Sequence, residues 1–60
     1  MPLIEVKLIE GRMDDEQKKE LALRMVDTLC DVGGEKWRDL TFCIVEEVPE
    51  GRWAFAGKVY

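Results

Sequence analysis

The chemistry open to this chain is narrowed first by a residue it lacks, because its 60 residues include no histidine. That absence removes the commonest general base and the usual activator of a serine or cysteine nucleophile. Carboxylates, lysines, the single tyrosine and an α-amino group remain to move protons. Pro2 then stands out, since a proline directly after the initiator methionine is commonly exposed as the mature N-terminus, where its nitrogen is a secondary amine. An ordinary α-amino group titrates at about 7.7–8.0, and apolar or cationic neighbours lower that value by penalising the ammonium form. Such an amine is a general base near neutral pH. The plainer role for Pro2 is to open an edge strand, where proline is tolerated.

The other reactive groups read more simply. Cys30 and Cys43 lie on different elements with no histidine to complete a metal site, so both read as buried small apolar side chains of a reducing compartment. Asp14-Asp15-Glu16 reads as carboxylate at the positive end of a helix dipole rather than as a cation site. Glu46 and Glu47 fall on opposite faces of a strand and make no acid/base dyad. The five glycines form no phosphate-cradling motif and read as turn residues. Trp53 and Phe55, on one side of a short strand, are core by default.

Four elements must position these groups. Residues 2–9 alternate, with Pro2, Ile4, Val6 and Leu8 on one face and Leu3, Glu5, Lys7 and Ile9 on the other, as a strand does. Glu10-Gly11-Arg12 breaks it. Asp14 with Gln17 three residues on has the form of a capping box, and Leu21, Met25, Leu29 and Val32, flanked by Ala22, Val26 and Cys30, give residues 15–32 one broad apolar face. Gly33-Gly34 ends that helix. Residues 40–48 read as a second strand, apolar on both faces for most of its length, which with the helix makes a parallel βαβ crossover. After the Pro49-Glu50-Gly51 turn, Trp53-Ala54-Phe55-Ala56 predicts a short third strand or hairpin.

Size and charge bound the rest. The chain reads as one α/β domain over residues 1–60. A net charge of −4 opposes binding to nucleic-acid phosphates and to anionic membrane surfaces. The longest apolar run, Phe42 to Val45, is too short to span a bilayer, and residues 1–5 lack the pattern of a signal peptide, so a cytoplasmic location is expected. A chain this short buries only about 60% of its unfolded surface. With 47% apolar residues and one helix able to cover one face of a two-stranded sheet, the other face, holding Leu3, Ile9 and half of the second strand, is expected to be covered by another copy.

Taken in order, Pro2 to Arg12, Asp15-Glu16-Gln17-Lys18-Lys19 opening the helix, Val45-Glu46-Glu47-Val48 and Trp53 to Lys58 give the chain a resemblance to the 4-oxalocrotonate tautomerase family over nearly its whole length. The resemblance implies a βαβ fold completed by oligomerisation, as hexamers built from three dimers with pockets shared between subunits. It implies catalysis without a cofactor on a small enol or unsaturated carboxylate. Pro2, freed of Met1, would move the proton, and Arg12 would hold the substrate carboxylate and draw electron density toward it. Trp53 falls where an aromatic residue lines the pocket. One departure is Phe42, which takes the place of a second, substrate-binding arginine in the middle of the second strand. Arg38, in the preceding loop, and Arg52, beside Trp53, are candidate substitutes, each with a solvated surface role as the plainer reading, and an apolar Phe42 suits a monocarboxylate with a hydrophobic tail, such as an aryl enolpyruvate. The alternatives are a relative that hydrates, dehalogenates or decarboxylates unsaturated acids, with Glu46, Glu47 or Glu50 activating water, and a non-catalytic oligomeric module of the same fold.

Overall fold

The computed structural model describes all 60 residues, Met1–Tyr60. Strand β1 (Leu3–Ile9), helix α1 (Asp15–Gly33) and strand β2 (Phe42–Val48) form the expected βαβ unit, and β3 (Ala54–Phe55) with β4 (Lys58–Val59) form the C-terminal hairpin. Strands β1 and β2 are parallel, in register from Leu3 beside Phe42 to Ile9 beside Val48. The hairpin is antiparallel, and its turn residues Ala56 and Gly57 both have positive φ, the backbone a tight two-residue turn between twisted strands demands. No helix is long and apolar enough to cross a membrane.

The helix starts as its capping box dictates. Asp14 Oδ1 accepts from the Gln17 amide at 2.8 Å, and Gln17 Oε1 accepts from the Asp14 amide at 3.0 Å. It ends at Gly34, whose φ of +110° suits glycine and whose amide donates to the Cys30 carbonyl at 2.8 Å. Trp37 packs on this exit: a Cβ on Gly33 would sit 3.0 Å from its ring, and Trp37 Nε1 donates to the Gly33 carbonyl at 3.1 Å.

Two details differ from the sequence pattern. The second strand begins at Phe42 rather than at residue 40, because a short 3-10 turn (Glu35–Trp37) intervenes and the Trp37 carbonyl accepts both the Leu40 amide and the Thr41 hydroxyl. Val32, assigned to the apolar helix face, is 85% exposed. Cys30, in the same last turn, is buried, so at this end the covered stripe lies on the Cys30 side of the helix and Val32 falls on its flank.

Cys30 is the single buried residue, and both cysteines are free thiols. Ile4, Val6, Cys43 and Val45 are half-buried on the helix-facing side of the sheet, while Leu3, Phe42 and Ile44 on the other side are at least 50% exposed. The surface area is 4853 Å², against about 4,000 Å² for a compact monomer of 7.0 kDa. The excess is close to the ~800 Å² one partner contributes to a standard interface. The radius of gyration, 14.0 Å, likewise exceeds the ~10 Å of a compact 60-residue chain. The shape and the uncovered face agree with the sequence expectation that other copies complete the fold.

Candidate active site

Pro2 sits half-buried at the head of β1, where its carbonyl accepts from the Phe42 amide at 3.0 Å. The strand ladder therefore sets its place. Phe42 is 58% exposed and Leu3 54%, so this end of the sheet presents apolar surface.

Arg12 lies at the opposite end, in the turn between β1 and α1. The seven residues of β1, about 20 Å of extended chain, separate it from Pro2. Trp53 is at Arg12's end: the Val48 carbonyl accepts from both the Glu10 amide at 3.1 Å and Trp53 Nε1 at 3.2 Å. The structure thus brings Trp53 to the turn that carries Arg12, and keeps Pro2 and Phe42 apart from both.

The four arginines divide into two kinds. Arg24 pairs with Glu20 at 3.1 Å, and Arg38 pairs with Asp27 at 2.6 Å and with Glu35. Those carboxylates raise the Arg38 pKa, Glu35 before Asp27, and Glu35 is lowered in turn. The sequence reading of Arg38 as a substitute ligand is corrected accordingly, since its guanidinium already holds two carboxylates of its own chain. Arg12 and Arg52 are exposed, and neither has a carboxylate within 4.0 Å. Both are on turns at the Trp53 end.

The two strand glutamates point to opposite faces, as alternation requires. Glu46 pairs with Lys7 on the open face. Glu47 turns toward the helix, where Lys18 donates to it at 2.6 Å and the Gly11 amide at 3.0 Å. Lys18 and then the Gly11 amide hold the Glu47 carboxyl below its ordinary value, and Lys18 is raised, by Glu47 first and Asp15 second. Sequence reasoning passed over this Glu47–Lys18 contact. Its signal was a glutamate on the inward face of an otherwise apolar strand, together with a lysine on the helix face that also holds Ala22 and Leu29.

The chain has one concavity, a shallow groove of about 240 Å³ lined by Met13, Gln17, Glu20, Leu21 and Arg24. None of the sequence-predicted site residues lines it. A single copy cannot enclose a pocket between groups at the two ends of one strand.

The fold is that of a family whose members this chain matches over nearly its whole length. Residues 2–60 match the family described as tautomerase enzyme, and the chain belongs to that family. Among solved structures it is similar to YwhB, a homologue of 4-oxalocrotonate tautomerase, with 31% identity, a TM-score of 0.84 and coverage of 97% of this chain and 92% of the other. TomN, a 4-oxalocrotonate tautomerase homologue in the tomaymycin biosynthetic pathway, is 31% identical with a TM-score of 0.86, over 97% and 86% of the two chains. DmpI from Helicobacter pylori is 25% identical with a TM-score of 0.85, over 97% and 94%. No curated protein sequence matches the chain.

Proposed function

We propose that the protein is a cofactor-independent keto–enol tautomerase of small enol or unsaturated carboxylic acids, working as a homo-oligomer, a hexamer, in which Pro2 of one copy meets Arg12 of another. The observation that carries this reading is the distribution of the groups: Pro2 and the unpaired arginines lie at opposite ends of β1, beside an open sheet face whose Pro2 half presents Leu3, Phe42 and Ile44.

In this mechanism the neutral Pro2 nitrogen takes the enol hydroxyl proton as the oxygen becomes a carbonyl, and the resulting ammonium returns the proton to carbon of the conjugated system. One O–H and one C=C are exchanged for one C–H and one C=O, so no redox partner is needed. The Arg12 guanidinium grips the carboxylate with two parallel hydrogen bonds and stabilises charge that builds toward it. Arg52 adds a second cation at the same end, and Trp53 walls the pocket. Phe42, bonded through its amide to Pro2, favours an apolar tail on the substrate. Arg38 has no part in it.

Of the carboxylates named for the hydratase-like alternative, Glu46 and Glu47 are each engaged by a lysine, which leaves Glu50 as the one unpaired group that reading would have to use. The test uses two preparations distinguished by mass spectrometry. The chain freed of Met1 should ketonise phenylenolpyruvate, followed spectrophotometrically, and the Met1-retaining chain should not, because its Pro2 nitrogen is an amide whose lone pair is delocalised. Equal rates would remove Pro2 as the base, and no turnover by either would leave a non-catalytic module.

A further inference from the structure

Glu47 is bonded through both carboxylate oxygens, and the two bonds converge on the turn that carries Arg12. Oε2 accepts from the Gly11 amide and Oε1 from Lys18, across 36 and 29 residues of chain. Lys18 also reaches Asp15 at 3.2 Å, in the first turn of α1. One side chain thereby ties the end of β2, the start of α1 and the β1–α1 turn. The contact is shielded as well. The Lys18 and Glu47 side chains are 22% and 28% exposed, whereas every ion pair without Lys18 has both side chains at least 44% exposed. Exposed pairs hold geometry poorly, and a shielded one bonded at both ends holds it better.

The turn needs such a tie. Gly11 has φ of +82°, with nothing within 4 Å of where a Cβ would be, and as a glycine its backbone has no side chain to restrict it. Arg12 follows it directly and pairs with no carboxylate, so no ion pair of its own aims it. We infer that Glu47, backed by Lys18, is a positioning residue for Arg12, holding the Gly11 amide so that the guanidinium is presented at a fixed place. This rests on the reading of Arg12 as the carboxylate-binding group. The same two donors, Lys18 first, lower the Glu47 pKa, in keeping with a brace that acts as a carboxylate.

The test is a double-mutant cycle in the chain freed of Met1, with phenylenolpyruvate as substrate. Glu47→Ala should raise KM about tenfold and change kcat less than about threefold, whereas in an Arg12→Ala background it should shift KM by less than about twofold. Glu47→Gln, which can still accept from Gly11 but cannot form the ion pair, should recover part of the loss. Equal fold-changes in both backgrounds would overturn the inference and make Glu47 a general support of the fold. An Arg12→Ala chain with native kcat/KM would instead overturn the role of Arg12, and the inference with it. If Glu47→Ala does not assemble, the same cycle with Glu47→Gln and with Lys18→Met is read by the same criterion.

Discussion

The two ends of the parallel sheet are built to different plans. At the Pro2 end the backbone does the placing: a proline at the head of a strand is aligned by the ladder itself, through the Phe42 amide, and its surroundings are apolar side chains. At the Arg12 end a turn must be held, and side chains hold it. Glu47, Lys18 and the indole of Trp53 all bond to this end of the chain, while two arginines are left without carboxylates. The difference teaches how much support each kind of chemistry requires. A main-chain group at the head of a strand is positioned when the strand forms. A long cation on a glycine-containing turn is positioned only by contacts distant in sequence.

The contrast can be broken most severely on the open face between the two ends. Ile44→Glu places a charge beside Leu3 and Phe42, in the apolar surface on which other copies are proposed to pack. Sedimentation should show a monomer at micromolar concentration, and turnover should be lost, since neither end holds a whole site. A variant that stays assembled would move the interface elsewhere.

A smaller loss separates the ends directly. Arg12→Ala should lower kcat/KM for phenylenolpyruvate by about 10²-fold, or ~3 kcal/mol, as a charged hydrogen-bonding partner is removed. Co-refolding that variant with Met1-retaining chains, each inactive or nearly so alone, should restore activity to about a quarter of the native level, the fraction of shared sites that combine one good end from each parent in a symmetric assembly. No recovery would place both groups of a site on one chain.

The mildest perturbation is acid. Because the folded chain holds the Glu47 carboxyl below its ordinary 4.5, the stabilisation it lends is complete above that pH and is lost as pH falls through the lowered value. The gap in Tm between the native chain and Glu47→Gln should therefore shrink between about pH 6 and about pH 3. Lys18, raised above 10.5, contributes fully below that pH and loses its share only as pH climbs through the raised value. A gap that is constant in acid would mean that the carboxylate charge adds nothing to the fold.

Much of this molecule was legible in its residues. Period-two alternation marked β1, and the Asp14–Gln17 capping box marked the start of α1. The alternation of Trp53 to Ala56 marked the hairpin. These signals are local, because they depend on side-chain spacing within one element and on the chemistry of single residues. Tertiary structure alone decided the rest. Val32 satisfies the helical period yet is exposed while Cys30 in the same turn is buried, since which flank of a helix is covered depends on how it sits on its neighbours. Arg38 and Arg52 are equivalent candidates as residues, and only packing shows that one is held by Asp27 and Glu35 while the other has no carboxylate partner. The bond from Gly11 to Glu47 joins groups 36 residues apart, and it exists because the parallel register sets Glu47 beside Leu8, close to the turn that follows β1. Register is a property of two strands together, so no local pattern in either strand specifies which side chains it will bring into contact.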